Sequence, residues 1–211
     1  MTACRIILLR HGETVWNRES RIQGHLDSPL SATGIAQADA LAQRLMGETF
    51  AALYCSDLGR AHETAQRIAA HTHHQVILDP GLRERNLGIL QALIRTEAQA
   101  LHPEIYTRYR TFDPDCVIPG GENAQQFIAR VMATFSAIAD RFPGGTVVVV
   151  THGGVLDVMY RHASGLPLHG ARTAPLPNAG FNCLVYGVGG RWSLPLWGDV
   201  THLQDPLPGD P

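Results

Sequence analysis

Two unbroken apolar runs in this chain end in the same way. Ile6-Ile7-Leu8-Leu9 leads into Arg10-His11-Gly12, and Val147-Val148-Val149-Val150 leads into Thr151-His152-Gly153. A strand that is apolar at every position, with no alternation, is covered on both faces, as in parallel sheets flanked by helices. Open sheets of that kind bind ligands in the crevice beyond the carboxyl ends of neighbouring strands. The two runs therefore constrain the chain to a layered α/β fold and direct His11 and His152 toward one crevice. A lone histidine there is ordinarily a satisfied, half-buried ring; two in the same context favour a site.

The remaining pattern agrees with such a layering. Ser31 caps a helix on which Ile35, Ala38, Leu41, Ala42 and Leu45 recur at helical spacing until Gly47. Residues 51–55 form a short strand. Ser56 or Asp57 caps a helix over 58–70 with Ala61, Ala65, Ile68 and Ala69 facing inward, and 75–78 is another strand. Strands alternating with helices through short connections predict a three-layer α/β/α sandwich around a mostly parallel, doubly wound sheet of about six strands. Residues 84–121 break the rhythm with two short helices and Pro-rich turns, and read as a small helical lid. A long amphipathic helix over 121–142 carries Phe127, Val131, Phe135 and Ile138, and a further helix over 155–163 follows the His152 strand. Residues 183–186 and 192–197 pair as an antiparallel hairpin across Gly189-Gly190. The expectation is one catalytic domain over 1–203 and an irregular tail over 204–211.

Composition narrows the partners. At 211 residues and 45% hydrophobic content the chain can bury one large core. A formal net charge of -2 leaves no broad basic surface for nucleic acid or an anionic membrane. The first apolar run is too short for a signal core or a membrane span, so the expected location is cytoplasmic. Cys4, Cys55, Cys116 and Cys183 show no Cys-x-x-Cys spacing and read as thiols. Every basic side chain other than histidine is arginine, with no lysine; the guanidinium fork suits phosphate, although genome composition is the blander cause. The run His71-Thr72-His73-His74 lies where a helix ends and lacks a spaced four-ligand set, so no metal site is expected. The hairpin with Trp192 and Trp197 is either a homodimer edge or core, core being the commoner fate.

Leu9-Arg10-His11-Gly12-Glu13-Thr14, with Trp16-Asn17 after it, resembles the opening motif of the histidine phosphatase superfamily (branch 1), the cofactor-dependent phosphoglycerate mutase-like proteins. The resemblance extends to Leu30-Ser31-x-x-Gly34, Ser56-Asp57-Leu58-x-Arg60-Ala61-x-x-Thr64-Ala65, Leu82-Arg83-Glu84-Arg85 and Thr151-His152-Gly153-Gly154. It implies phosphoryl transfer through a phosphohistidine at His11, with Arg10, Arg60 and His152 as donors to the phosphoryl oxygens. Such fixed donors are what a transition state with charge on three equatorial oxygens needs. Glu84 is implied as the proton carrier, protonating the leaving alkoxide and then taking a proton from water. Glu13 is nearer His11 in sequence, but the resemblance gives the role to Glu84. Asn17, Gln23, Gly24, Arg85, Arg95 and Gly153 are the implied further substrate contacts, with the Gly153 and Gly154 amides at a helix start. No cofactor and no metal are implied.

A phosphatase acting on small phosphomonoesters is the favoured reading. The mutase branch typically reads Glu-Arg-His-Tyr-Gly where this chain has Glu84-Arg85-Asn86-Leu87-Gly88, which removes two polar side chains. The 2,3-bisphosphoglycerate-dependent mutase is the alternative, kept open by Arg85 and Arg95. A silent phospho-ligand binder is the second alternative, and the complete set of His11, Arg10, Arg60, Glu84 and His152 argues against it.

Overall fold

The computed structural model describes residues 2–203. Six strands, β1 (Cys4–Arg10), β2 (Ala52–Cys55), β3 (Val76–Leu78), β4 (Thr146–Thr151), β5 (Phe181–Tyr186) and β6 (Trp192–Asp199), form one sheet in the order β3-β2-β4-β1-β5-β6. The first four positions in that order are parallel, and β5 and β6 close the sheet as an antiparallel end. Among the described residues the helices are α1 (Val15–Arg18), α2 (Ala32–Leu45), α3 (Gly59–Thr72), α4 (Arg95–Leu101), α5 (Pro103–Arg110), α6 (Ala124–Arg141) and α7 (Gly153–Ala163). None of them is long and apolar enough to cross a membrane.

The unbroken apolar runs are explained by two-sided burial. On one face, Ile6 and Leu8 of β1 and Val147 and Val149 of β4 pack with Phe127, Val131 and Phe135 of α6 and Val155 and Met159 of α7. Ile7, Leu9, Val148 and Val150 point the other way, onto Leu41 and Leu45 of α2 and Ala61, Ala65 and Ile68 of α3. Truncating a fully buried phenylalanine such as Phe127 or Phe135 to alanine costs about 3–5 kcal/mol at such sites. Trp192 joins the first cluster against Phe135, so core is its fate.

Several boundaries differ from the sequence expectation. The cap of α2 is Ser31, as expected, accepting from the Gly34 amide. The cap of α3 is neither Ser56 nor Asp57. Asp27 reaches over from a distant loop and its carboxylate accepts from the Gly59 and Arg60 amides at 2.5 and 3.4 Å. Asp57 is instead paired with Arg83, and Ser56 turns inward. Helix α7 begins at Gly153, two residues earlier than periodicity suggests, because glycine carries no side chain for a pattern to register. Helix α6 starts at Ala124, where Asn123 and Gln126 form a reciprocal cap.

Residues 84–121 hold α4, α5 and a 3-10 turn, and they pack on their own small cluster of Ile22, Leu87, Leu90, Ala98, Tyr106, Cys116 and Ile118. A second tie to the body is electrostatic. Arg130 of α6 binds the Glu122 carboxylate and donates to the carbonyls of Gly81, Arg83 and Glu84, while that carboxylate also accepts from the Asn86 amide and the Glu122 backbone carbonyl accepts from Arg85 Nε. The expected irregular tail, 204–211, lies outside the described residues.

Candidate active site

The two histidines meet because β1 and β4 run parallel in register, Arg10 opposite Thr151. After β1 the chain feeds α2 on one face, and after β4 it feeds α7 on the other, which makes the crevice a topological switch point. The His11 amide donates to the Thr151 carbonyl at 3.0 Å, and the two imidazoles stand 5.2 Å apart. Gly12, next in the chain, donates its amide to Thr64 Oγ1 of α3.

His11 is locked in one tautomer. Its Nδ1 lies 2.7 Å from the Gly12 carbonyl, which can only accept, so Nδ1 carries the proton and Nε2 keeps its lone pair. Burial first, then the charges of Arg60 and Arg10, hold its pKa well below the usual histidine value. The ring is therefore neutral near pH 7. His152 caps α7 and is fully buried behind His11, with its Nε2 2.8 Å from Ser56 Oγ and its Nδ1 without a partner among the described residues. Burial, Arg60, His11 and Arg10 depress its pKa in the same direction.

Arg60 sits in the first turn of α3 with its side chain 1% exposed. Its Nη1 donates to Asp27 and to the Leu26 carbonyl, and its Nη2 donates to the Gly24 carbonyl. Asp27 thus caps the helix and braces its arginine at once. Arg10 is buried and donates to the Leu176 carbonyl.

Glu84 reaches the same place from the loop before α4. One carboxylate oxygen accepts from the Arg85 amide and the other from the Gly154 amide, each at 2.8 Å. A Cβ at position 154 would stand 2.1 Å from Glu84 Oε1, so this approach exists only with glycine there. Glu13 is committed elsewhere, accepting from the Ser31 hydroxyl at the start of α2.

Two adjoining cavities result. The smaller, of about 130 Å³, is lined by Arg10, His11, Asn17, Gln23, Gly24, Arg60, Glu84, Arg95 and Gly153. Of the residues singled out in the sequence, Arg85 lines only the larger cavity, of about 330 Å³, and His152 lines neither. Asn17 also caps α1 through Thr14, and Gln23 buries an Oε1 without a hydrogen-bond partner among the described residues. Glu84, Arg95, Tyr109 and Arg172 line both cavities and so mark their seam. Asp27, Tyr109 and Arg172 were missed in the sequence, and Ser56 was read only within a motif and as a candidate helix cap, not as the partner of His152. No local periodicity or spacing marks Asp27, Tyr109 or Arg172, whose place at the site is set by residues far away in the chain.

Residues 6–200 match the histidine phosphatase superfamily (branch 1), and the chain belongs to that family. The phosphoglycerate mutase-like protein 4 of Arabidopsis thaliana is 40% identical, over 95% of this chain and 87% of that protein. A metal-independent phosphoserine phosphatase of the same plant is also 40% identical, over 94% of this chain and 83% of that protein. Among solved structures, YhfR of Bacillus stearothermophilus superposes with a TM-score of 0.88 at 32% identity, over 94% of this chain and 98% of that one.

Proposed function

We propose that this protein is a cytoplasmic phosphatase that hydrolyses small phosphomonoesters through a phosphohistidine at His11 Nε2, without a metal. The observation that carries the reading is a neutral, tautomer-locked imidazole beside two buried arginines, with a carboxylate lining the same cavity. The Nε2 lone pair attacks phosphorus, the ester P–O bond breaks, and Glu84 in its acid form passes a proton to the departing alkoxide. The imidazolium formed keeps its Nδ1–H on the Gly12 carbonyl. Water then gives Glu84 a proton and attacks phosphorus, and the P–N bond electrons return to Nε2.

Arg10 and Arg60 supply cationic donors around the phosphoryl group, the work a divalent ion does in other phosphoryl-transfer enzymes. Asn17, Gln23, Gly24 and the Gly153 amide surround it with neutral groups. For His152, donation from the Ser56 hydroxyl to Nε2 places the proton on Nδ1, which is then a donor. In this reading residues 84–121 form a lid over the leaving group. The similarity to a phosphoserine phosphatase described as metal-independent supports it, as does the lid chemistry. Asn86 binds the Gly88 amide and Leu87 is buried in the lid cluster, so neither offers a substrate-facing polar group.

The second reading is a mutase, favoured by Arg85 and Arg95 around the larger cavity and by the mutase-like relative. A metal-free assay separates the two, scoring phosphate release from phosphoserine, 3-phosphoglycerate and p-nitrophenyl phosphate beside isomerisation of 3-phosphoglycerate with and without bisphosphate primer. Release without isomerisation, unchanged by excess EDTA, is the expected result. Primer-dependent isomerisation with little release would establish the mutase, and loss in EDTA restored by Mg²⁺ or Zn²⁺ would overturn the metal-free scheme. His11→Ala should abolish both turnover and acid-labile phosphate labelling.

A further inference from the structure

The helix that His152 caps also builds the far wall of the larger cavity. Asp157 and Arg161 lie one turn apart on α7, and both are buried. Arg161 Nε donates to Asp157 Oδ2 at 3.0 Å. The other two guanidinium nitrogens donate to the carbonyls of Pro167, His169, Gly170 and Ala171 at 2.8 to 3.1 Å. A guanidinium has five N–H groups, so this fork is saturated, and it gathers residues 167–171 around itself. The Gly170 amide in turn donates to the Thr111 carbonyl just after α5, at 2.7 Å, which stitches the turn to the lid.

Arg172 emerges directly from that turn and lines both cavities. Its side chain is half exposed, and its Nε stands 3.8 Å from Asp157 Oδ1, beyond hydrogen-bond distance. Asp157 therefore faces Arg172 across an ion pair from the wall of the larger cavity, with no hydrogen bond between them to occupy its donors. The larger cavity is otherwise cationic, lined also by Arg85, Arg95 and Arg110. Arg85 is buried there with both Nη atoms lacking a hydrogen-bond partner among the described residues. The two carboxylates on its lining are already engaged, Glu84 by backbone amides and Asp157 by Arg161.

We propose that Arg172 is a specificity-determining contact for an anionic group on the leaving alcohol, and that Asp157 and Arg161 are the positioning residues that aim it. The proposal rests on the phosphatase reading. A phosphomonoester lying with its phosphoryl group in the small cavity must pass its alcohol across the seam, where Arg172 meets it. A lysine could not replace Arg161, because a compact ammonium with three donors cannot span one carboxylate and four carbonyls.

The test compares substrates that differ in the leaving group: 3-phosphoglycerate and phosphoserine, whose alcohols carry a carboxylate, against p-nitrophenyl phosphate, whose leaving group carries none. For Arg172→Gln, KM for the carboxylated substrates should rise roughly 10- to 100-fold with kcat little changed, the size of a lost hydrogen bond between charged groups. Loss on p-nitrophenyl phosphate should stay within about threefold, since the interaction removed is specific to the second anion. Arg161→Ala should show the same selectivity, and Arg161→Lys should not rescue it. The double variant Arg161→Ala/Arg172→Gln should be no worse than the poorer single variant, because the two act as one unit.

Equal losses on all substrates, additive losses in the double variant, or a wild-type preference for uncharged leaving groups would each overturn the proposal. Should Arg161→Ala fail to fold, Arg172→Gln alone decides through its KM and kcat split. Failure of the phosphatase reading would look different, as absence of phosphate release from every substrate by the wild-type protein.

Discussion

The two cavities are built by different means. Around the smaller cavity, His11 and His152 sit one residue beyond paired strands, and Arg60 sits in the first turn of a helix, so sheet register and helix geometry set their positions. Around the larger cavity no strand is available to hold the chain. Two arginines, one half-buried and one buried, do that work: Arg130 collects the carbonyls of Gly81, Arg83 and Glu84, and Arg161 collects four carbonyls from 167–171. Each is oriented by one acidic residue, Glu122 or Asp157. The contrast teaches that, in the proposed function, the chemistry is fixed by the sheet and its helices, whereas leaving-group recognition is delegated to loops that change sequence without disturbing the sheet.

Three substitutions sharpen or break that contrast. The largest effect is expected at the seam. Glu84→Gln should slow hydrolysis of alkyl phosphates by about 10²–10⁴, the usual range for a lost general acid, and p-nitrophenyl phosphate far less because its leaving group needs no proton. Equal slowing would remove Glu84 from the proton role.

Next, Arg60→Gln should lower kcat/KM by roughly 10²–10³ on every substrate, the usual cost of a fixed donor to transition-state charge. It should also move the acid limb of the pH profile. Burial is the first cause of the depressed His11 pKa and the Arg60 charge the second, so loss of that charge raises the pKa toward its ordinary value. His11 would then protonate, and lose its nucleophilic lone pair, at a higher pH than in the wild type. Profiles between pH 5 and 8 on one substrate decide it; an unmoved limb would mean burial alone keeps the ring neutral.

The smallest effect is expected at Asp27→Ala, which removes the α3 cap and should cost about 1 kcal/mol by denaturant titration. Because Asp27 also braces Arg60, a fall in kcat/KM on all substrates, roughly 5- to 10-fold and so well short of that for Arg60→Gln, should accompany it. A loss confined to bulky or charged leaving groups would place Asp27 on the wrong side of the contrast.

The same contrast explains what the sequence made legible. The central strands, the order of the helices and the meeting of His11 and His152 could be read, because two-sided burial writes continuous apolar runs and both histidines sit at their ends. Ser31 was legible as a cap because it adjoins its helix. Asp27 was not, since it caps a helix 32 residues later and nothing near it in sequence marks the partner. The start of α7 was hidden by two glycines. Residues 164–180, rich in Pro and Gly and without periodicity, gave no sign that Arg172 would reach the seam, because their conformation is imposed by Arg161.

Helix α7 has a mechanical consequence. It carries the Gly154 amide that holds Glu84 and, seven residues on, the Arg161 that holds the cavity wall. At 1.5 Å per residue those two points are roughly 10 Å apart along a stiff rod. The span between Glu84 and the wall of the larger cavity is therefore set by that rod and not by the loops around it. One residue inserted between them would swing Arg161 by about 100° around the axis, so the distance from Glu84 to the cavity wall is written as a count of residues.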